Sequence, residues 1–359
     1  MSLSPNDVVL VTGGAGFIGS ALSHKLAGKV GRVVAVDVLH PQVHPSGRRP
    51  ASLHEDTELV IGDVTDSAMW DSLLADMAPS VVIHLAAETG TGQSLREASR
   101  HASVNVVGTT EMLDAFTRAG QVPAHIILSS SRAVYGEGQW VAPDGTPFSP
   151  GQRSHEQLER GEWDFGGATS LPNRALVTPP APTSVYGATK LAQEHILSAW
   201  TAALGNRLTI LRLQNVYGPG QSLINAYTGI VSLFSQLAEA GQSIPIYEDG
   251  NITRDFVFIE DVADAFVAAL QTDEVQGPRL FDVGSGVATT VLELGGELAR
   301  YYSAPAPHIT GQYRDGDVRH AACDIERTVR ELPWAPQWSL ERGLIALQAW
   351  IAEQSERIG

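Results

Sequence analysis

The sequence predicts an α/β fold in which a doubly wound parallel sheet carries helices on both faces. Short, β-branched and almost continuously apolar runs alternate with longer amphipathic stretches over the first two thirds of the chain. This alternation is typical of buried parallel strands that are connected by helices. After about Gly218 the pattern changes to isolated helices, short strands and Gly/Pro turns. The second part of the chain is therefore expected to be smaller and differently built.

The predicted elements divide the chain into two domains. The predicted strands are 8–12, 33–37, 59–61, 81–85, 124–129 and 208–213, and the main helices are 16–27, 104–119 and 184–204. A Gly/Pro-rich insertion at 136–182 contains one weakly helical stretch, 154–161. Because loops of this length are usually lids or binding loops, we expect the insertion near the active site. The first domain is then 1–218 and the second 219–359, from which some strands and helices can return to the first.

Composition argues against several classes of function. The 359 residues contain 24 Lys and Arg against 40 Asp and Glu, a net charge of −16, and this charge repels nucleic acids and anionic membranes. Cys323 is the only cysteine, so neither an intramolecular disulfide nor a cysteine zinc cluster is possible. The histidines have no supporting acidic cluster, and we expect no metal site. No apolar run approaches the ~20 residues that span a bilayer, which predicts a cytoplasmic protein.

A glycine-rich turn predicts a dinucleotide site. The motif TGGAGFIG at 12–19 follows the first predicted strand and opens the first helix, the context in which such glycines cradle a pyrophosphate in a Rossmann-type domain. Asp37 closes the second strand, where its carboxylate would accept the ribose hydroxyls of NAD and repel the 2′-phosphate of NADP. Arg32, Arg48 or Arg49 nearby could instead accommodate that phosphate. The predicted contacts of the turn are Gly13, Gly16, Phe17, Ile18 and Gly19.

Two strand ends extend the predicted cofactor site. Asp63 and Val64 end the third strand, where Asp63 could bind the adenine amino group. Leu85, Ala86 and Ala87 end the fourth, where small side chains let the backbone approach the dinucleotide. Each segment taken alone could equally be a strand end without a role. Their order along the chain favours the cofactor interpretation.

Tyr186 and Lys190 are the predicted catalytic pair. Their spacing of four residues on a predicted helix points both side chains into one cleft. A phenol has a pKa of about 10, and nearby positive charges on lysine and on nicotinamide favour its ionised form. The phenolate could then remove a hydroxyl proton while hydride leaves the carbon for NAD. Ser129–Ser131, which ends the fifth strand, supports this interpretation.

Together these residues resemble the extended short-chain dehydrogenases/reductases of the nucleotide-sugar epimerase/dehydratase family over essentially the full chain. The resemblance also includes NVYGP at 215–219, RDFVF at 254–258 and GDVRH at 316–320. It implies bound NAD, a nucleoside-diphosphate sugar as substrate, and Ser131 as a hydrogen-bond partner of the reacting sugar oxygen. It also implies that Lys190 contacts the nicotinamide ribose. Further cofactor contacts implied by the resemblance are Asn105, Ser129, Leu213 and Val216.

The resemblance also implies a set of substrate-binding residues. Asn215, Arg254 and Arg319 would hold the sugar and its diphosphate, which suits the bidentate geometry of guanidinium on phosphate. Arg132, Glu88 and Thr89 are further candidates next to the expected sugar site. Glu88 could read a sugar hydroxyl, or it could be a solvated loop carboxylate, and the sequence leaves both interpretations open.

The residues after Ser131 favour one reaction of the family. Similar 4,6-dehydratases carry an Asp-Glu pair there, whereas this chain has Arg132 and Ala133, which cannot replace an acid and a base. Oxidation at C4 and return of the hydride to the other face remain, which is C4 epimerisation. Within the family the chain resembles the bacterial dTDP-L-rhamnose 4-epimerase group, implying a dTDP-6-deoxyhexose. Two alternatives are a reductase of nucleotide-linked 4-keto-6-deoxyhexoses and a UDP-sugar or UDP-uronate 4-epimerase. A non-catalytic NAD sensor is the alternative that the sequence favours least.

Two expectations concern the insertion and the assembly. The compared relatives often have cysteines in the insertion, which this chain lacks there, so its aromatic residues must hold it unless it is mobile. The predicted helices 104–119 and 184–204 carry apolar stripes. In the family the corresponding helices pair across a two-fold axis, which implies a homodimer through a four-helix bundle. The alternative is a stripe that is buried inside the monomer.

Overall fold

The computed structural model describes residues 4–223, 229–271 and 278–358. The strands in that part of the chain are β1 (Val8–Thr12), β2 (Arg32–Asp37), β3 (Glu58–Ile61), β4 (Val81–His84), β5 (His125–Ser131), β6 (Trp140–Val141), β7 (Pro147–Phe148), β8 (Thr169–Ser170), β9 (Arg207–Leu213), β10 (Asn215–Tyr217), β11 (Pro245–Ile246), β12 (Thr253–Phe258), β13 (Arg279–Val283), β14 (Ala288–Thr290), β15 (His308–Ile309) and β16 (His320–Ala321). The helices are α1 (Phe17–Leu26), α2 (Ser67–Asp76), α3 (Thr91–Ser94), α4 (Ala98–Ala102), α5 (Gly108–Ala119), α6 (His155–Glu159), α7 (Val185–Leu204), α8 (Ile230–Glu239), α9 (Ile259–Gln271), α10 (Val291–Tyr301), α11 (Glu326–Glu331) and α12 (Leu340–Ile358). A π-helical turn at Ser103–Val107 connects α4 to α5, and a 3₁₀ turn at Arg132–Tyr135 follows β5.

A seven-stranded parallel sheet forms the centre of the molecule. Its strand order is β13-β9-β5-β4-β1-β2-β3, and all neighbouring strands are parallel. One apolar layer packs α1 and α9 against the sheet, and the other packs α2, α5 and α7 against the opposite face. Both faces are therefore buried, which explains the continuous apolar runs of the strands. The predicted doubly wound α/β class is confirmed.

The helix that carries the predicted catalytic pair is held firmly at both ends. The Ser184 hydroxyl accepts a hydrogen bond of 3.0 Å from the backbone N–H of Gly187 and caps the start of α7. Gly205, at a φ of 75°, ends it. The predicted helix 104–119 has a helical extension at its start, because α4 and the π-helical turn lead directly into α5.

The later part of the chain forms a smaller sheet and also completes the large one. Strand β12 pairs with β10 and β16 in parallel and with β14 in antiparallel. Helices α8, α10 and α12 cover an apolar core around Tyr217, Phe256 and Phe258. Strand β13 returns to the edge of the seven-stranded sheet beside β9, and α9 packs against α1. The sequence pattern had not identified β13.

The insertion 136–182 is an ordered subdomain. Its short strands form a three-stranded antiparallel sheet in the order β7-β6-β8, and α6 lies within the stretch 154–161 that was predicted to be weakly helical. Trp140 is 1% exposed and packs edge-on against Phe165, with 5.0 Å between ring centroids. Packing and buried ion pairs around Arg153 hold the subdomain in place.

Candidate active site

The carboxyl ends of the central strands open into a cleft of about 760 Å³. This volume is in the range of small-molecule and cofactor sites. Most of the predicted site residues meet there. They are Gly13, Gly16, Phe17, Ile18, Gly19, Asp37, Asp63, Val64, Leu85, Ala86, Ala87, Glu88, Thr89, Ser129, Ser131, Tyr186, Lys190, Leu213 and Val216.

The glycine turn lies at the base of this cleft. Gly13 has a φ of +66°, and a Cβ atom there would lie 2.8 Å from the backbone nitrogen of Ala86. Only glycine permits this conformation together with this close approach. The turn after β1 and the loop after β4 are thereby brought together, which leaves a backbone-lined groove for a phosphate group.

Asp37 is positioned at the end of β2 by backbone hydrogen bonds. Its carboxylate accepts from the N–H of Ala15 at 3.1 Å and from that of Leu39 at 2.9 Å. None of the three arginines that could have favoured a 2′-phosphate lines the cleft. Arg32 forms an ion pair with Glu58, and Arg49 donates to backbone carbonyls. The chemistry of this end of the cleft therefore fits NAD.

Ser131 and Tyr186 are brought together by close packing of α7 on the 3₁₀ turn. A Cβ atom at Gly187 would collide with the carbonyl oxygen of Ala133, so glycine after Tyr186 allows the helix to begin against this turn. Ser131 and Tyr186 both line the cleft, and the Ser131 side chain is close enough to lower the pKa of the Tyr186 phenol in part. Lys190, one turn further along α7, lines the same cleft.

Burial affects the two titratable catalytic groups in opposite directions. It raises the pKa of Tyr186 above its usual value of 10, although the Ser131 hydrogen bond and the charge of Arg132 lower that pKa in part. It lowers the pKa of Lys190 to about 7, against the charge of Glu194. The expected lowering of the Tyr186 pKa is therefore not achieved by the protein alone. Oxidised NAD, when bound, supplies an acceptor for hydride and a positive charge that favours the phenolate.

A buried polar network supports the site from below. Glu194, two turns after Tyr186 on α7, accepts hydrogen bonds from Ser130 and, at 2.9 and 2.6 Å, from Arg212. Arg212 stacks over Tyr135 at 4.6 Å, and the Tyr135 hydroxyl donates to Asp282 at 2.8 Å. Glu194 was not predicted from the sequence, although it follows Lys190 at the same spacing of four residues that separates Lys190 from Tyr186.

Asn105 supports the cleft without lining it. Its side chain is fully buried and is not among the described residues that form the cleft wall. Its carbonyl oxygen accepts from the N–H of Glu88 at 2.7 Å, and its amide donates to the carbonyl of Glu88 at 3.0 Å and to Thr189 at 2.9 Å. Asn105 thus fixes the loop after β4 to α7.

Arg132 and Arg254 form a cationic region beside the catalytic residues. The Nε of Arg132 donates to the Asn215 side chain at 2.7 Å, and Arg254 donates to the carbonyl of Thr253 at 2.7 Å. Burial and the charge of Arg254 lower the pKa of Arg132 to about 9. In the described part of the chain, no carboxylate lies within ion-pair distance of either guanidinium. The region can therefore accept an anion.

Arg319 meets this region only through its backbone carbonyl, which accepts from Arg254 at 3.3 Å, and its side chain does not line the cleft. Its guanidinium is 1% exposed and binds three carboxylates: those of Asp164 at 2.9 Å, Glu248 at 2.8 Å and Asp249 at 2.7 Å. These partners raise its pKa. Since its donors are already used, Arg319 connects the insertion to the later part of the chain instead of facing the cleft.

Several cleft residues had not been identified from the sequence. His40 and Gln42 follow β2, and Gln93 and Arg100 lie on the segment after β4. The sequence contains one signal for two of them, because LHPQVH at 39–44 resembles the same segment of the dTDP-L-rhamnose 4-epimerase group. Gln221 also lines the cleft, from the loop after β10.

The described part of the chain contains neither a cluster of metal-binding side chains nor a helix that could span a membrane. No three His, Cys, Asp or Glu side chains within the described ranges are arranged to hold a metal ion. None of the helices there is long and apolar enough to cross a membrane.

The fold and the cleft define a Rossmann-type enzyme in which a dinucleotide site adjoins a Ser–Tyr–Lys set. Residues 9–155 and 165–284 match the model of the NAD dependent epimerase/dehydratase family. The chain therefore belongs to this family. The predicted family and the predicted use of NAD are confirmed.

Individual relatives agree with this assignment. The chain is 60% identical over 356 residues to a dTDP-L-rhamnose 4-epimerase of Burkholderia thailandensis, covering 99% of this chain and 98% of the relative. A UDP-glucose 4-epimerase of Thermotoga maritima, solved with UDP-glucose, superposes with a TM-score of 0.80 at 28% identity, over 97% of this chain and 99% of that one. A Thermus thermophilus UDP-glucose 4-epimerase in complex with NAD gives a TM-score of 0.74 at 25% identity, over 96% and 99% of the two chains.

Proposed function

We propose that this protein interconverts the C4 epimers of a dTDP-activated 6-deoxyhexose such as dTDP-L-rhamnose. The broader class, an NAD-dependent nucleotide-sugar 4-epimerase, is confirmed by the 60% identity to the Burkholderia thailandensis enzyme and by the family match. The same identity supports dTDP as the nucleotide and a 6-deoxyhexose as the sugar.

The observation that carries the proposal is the position of Arg132 and Ala133 beside an intact hydride-transfer site. Ser131, Tyr186 and Lys190 line the same cleft, and Ser131 acts on the pKa of Tyr186. The next residues, Arg132 and Ala133, supply neither the acid nor the base that elimination of water requires. Oxidation and reduction at C4 are thus supported, and dehydration is not.

In this mechanism Tyr186 handles the proton of the sugar 4-hydroxyl. The phenolate takes that proton as C4 is oxidised, and the phenol returns it to the same oxygen after the 4-keto sugar has turned its other face. Ser131 holds the oxygen through both steps. Lys190 adds positive charge and orients the nicotinamide ribose. NAD would serve as both acceptor and donor of the hydride, so that each turnover would regenerate it.

The remaining predicted residues are proposed to bind the two ligands. Arg132, Asn215 and Arg254 would hold the sugar and its diphosphate, supported by the cationic region described above. Thr89 lies at the cleft wall near the same position. The residues that the sequence analysis named as cofactor contacts, of which Gly13 is the first and Val216 the last in the chain, are proposed to hold NAD. Arg319 would act indirectly, by fixing the insertion.

We also propose the predicted domain division and assembly. Residues 1–218 would bind NAD and 219–359 mainly the nucleotide sugar. A homodimer would form through α7 and through α5 with the π-helical turn that precedes it. Two apolar side chains of these elements, Val107 and Leu204, are 45% and 50% exposed. Light scattering of the purified protein would measure the oligomeric state. A cytoplasmic location fits a dTDP-sugar substrate.

The proposal is tested by incubating the purified protein with dTDP-L-rhamnose without added cofactor and following the sugar by NMR. We expect conversion to the C4 epimer. A UDP-sugar epimerase is the second candidate, which the likeness to the Thermotoga maritima enzyme favours; faster conversion of UDP-glucose would establish it. A 4-ketoreductase would instead leave dTDP-L-rhamnose unchanged under these conditions and would reduce the corresponding dTDP-4-keto-6-deoxy sugar only when NADH is added.

A further inference from the structure

Two loops on opposite sides of the glycine turn are joined above the cleft. Strand β1 lies between β2 and β4 in the sheet, so the turn 13–16 is flanked by the loop after β2 and by the segment after β4. Both flanking segments contribute to the cleft wall, the first through His40 and Gln42 and the second through Glu88, Gln93 and Arg100. We call these five side chains the clasp.

Polar contacts connect the two sides of the clasp. The Nη2 atom of Arg100 donates to the carboxylate of Glu88 at 2.8 Å and lies 3.2 Å from Nε2 of His40. The amide groups of Gln42 and Gln93 exchange hydrogen bonds of 3.2 and 3.4 Å. The loop after β2 is thus connected to the segment after β4 at two separate places.

Each side of the clasp is fixed to the body of the protein. On the β2 side, Leu39 is buried at a φ of +50°, a conformation that leucine rarely adopts, and its N–H donates to Asp37. On the β4 side, Asn105 holds the backbone of Glu88 by two hydrogen bonds. The ring of buried His101 lies 3.2 Å from the carbonyl of Thr89. The contacts therefore join two anchored segments.

The clasp has a consequence for a dinucleotide in the cleft. A ligand that lies along the glycine turn would run between the two segments that the clasp joins, because all five clasp side chains line the same cleft. Its release would then require the contacts of Arg100 and of the glutamine pair to open. We propose that the clasp retains NAD through successive turnovers. This inference rests on the proposed function in one respect: an epimerase regenerates its cofactor in every cycle and gains nothing from releasing it.

The clasp also assigns a role to Glu88. Its carboxylate is committed to Arg100, which is itself held by Glu97 at 2.9 Å. Glu88 therefore acts as a positioning residue for the loop after β4. The two interpretations that the sequence left open, contact with a sugar hydroxyl and a solvated carboxylate, stay predictions beside this role.

The test measures the release of NAD from the holoenzyme in the absence of any sugar nucleotide. Protein loaded with isotopically labelled NAD is mixed with excess unlabelled NAD, and the label that remains bound is followed over time. We expect Arg100→Met to release NAD at least tenfold faster than wild type. After dilution, the activity of this variant should also come to depend on added NAD. The matched control is Arg96→Met, because Arg96 lies four residues earlier on the same segment and is exposed; its release rate should equal that of wild type.

Glu88→Gln is the second variant, since it removes the charge and preserves the shape of the side chain. It should release NAD faster than wild type, and combining it with Arg100→Met should add little, because both changes break the same contact. Release rates within twofold of wild type for both variants would overturn the proposal, as would equally fast release from Arg96→Met. Because no sugar is present, these outcomes are independent of whether the protein is a 4-epimerase.

Discussion

The catalytic cleft and the base of the insertion, where it contacts the later part of the chain, both contain buried positive charges. Carboxylates bind these charges only at the base of the insertion. At the base of the insertion, Arg153 binds Glu137 at 3.2 Å and Glu248 at 3.0 Å, and Arg319 binds three carboxylates. At the cleft, Lys190, which lines it, is 2% exposed, and Arg254, which lies in the cationic region beside it, is 7% exposed. Across the described ranges neither of these two has a carboxylate within ion-pair distance.

This difference separates structural from functional charges. A buried cation costs free energy unless carboxylates and hydrogen bonds compensate it. The protein compensates Arg153 and Arg319 internally, and both hold the insertion against the later part of the chain. It leaves Lys190 and Arg254 without a carboxylate in ion-pair contact, so that only more distant charges such as those of Glu194 and Asp317 act on them. Both lie beside the position where a cofactor and an anionic substrate would bind. Lack of internal compensation thus marks the side chains that are available to ligands.

The largest predicted effect concerns the catalytic side of this comparison. Tyr186→Phe removes the proton acceptor and leaves the shape of the cleft unchanged, so kcat should fall about 10³-fold or more, toward the upper range for loss of general acid–base catalysis. Bound NAD and the melting temperature should stay at wild-type values. The control is Tyr301→Phe, an exposed tyrosine on α10. Retention of activity by Tyr186→Phe would remove Tyr186 from the mechanism.

The second prediction tests the compensated charges. Arg153→Met leaves Glu137 and Glu248 buried with one cation fewer, which should lower the free energy of unfolding by about 3–5 kcal/mol. Arg160→Met is the matched control, because Arg160 forms an exposed pair with Glu162 and should cost less than about 1 kcal/mol. Chemical denaturation measures both values. Equal effects of the two changes would contradict the structural role of Arg153.

The third prediction has the opposite sign. Lys190→Met removes an uncompensated buried amine, so it should abolish epimerisation and raise the free energy of unfolding of the cofactor-free protein at pH 7 by about 1–3 kcal/mol. Burial lowers the pKa of Lys190 from 10.5 in the unfolded chain to about 7 in the folded one. The cost of this group is therefore complete below pH 7 and disappears as the pH rises to 10.5. Denaturation at pH 7 and pH 9 should show a smaller gain at pH 9; a destabilised variant would refute the account of Lys190.

The last prediction concerns a buried group in the sheet that stays neutral, and at neutral pH its effect is the smallest of the four. Burial lowers the pKa of His125 to about 3, so between pH 6.5 and 3 the unfolded chain binds a proton that the folded chain does not. This group should reduce the free energy of unfolding by about 1.4 kcal/mol per pH unit as the pH falls. The variant His125→Gln should lack that component between pH 6 and 4. Replacing the exposed His155, whose pKa is raised by Asp315, should leave it intact.

The sequence predicted the elements whose signals are local. Strands such as β1 and β4 are buried on both faces and therefore give unbroken apolar runs. Strand β13 was not predicted because Arg279 and Asp282 interrupt its apolar pattern. Asp282 is tolerated inside because it accepts hydrogen bonds from Tyr135 and Ala175, which lie 147 and 107 residues away in the chain. The two-residue strands of the insertion are too short to show any periodicity.

The same distinction holds for the site. The glycine turn and the pair of Tyr186 and Lys190 are recognisable because their spacing reflects a turn and one face of a helix. Arg319 was expected to bind substrate, but its ion-pair partners Asp164 and Asp249 lie 155 and 70 residues away in the chain. No spacing rule reveals such partners. The contact between Gln42 and Gln93 was hidden for the same reason.

The most direct test of the central claim follows a hydrogen atom at C4. The protein is incubated with dTDP-L-rhamnose carrying deuterium at C4, without added cofactor, and the products are examined by NMR and mass spectrometry. Reversible hydride transfer within one cleft predicts that deuterium remains at C4 of both epimers. Loss of deuterium to water, or turnover only after NADH has been supplied, would contradict the account.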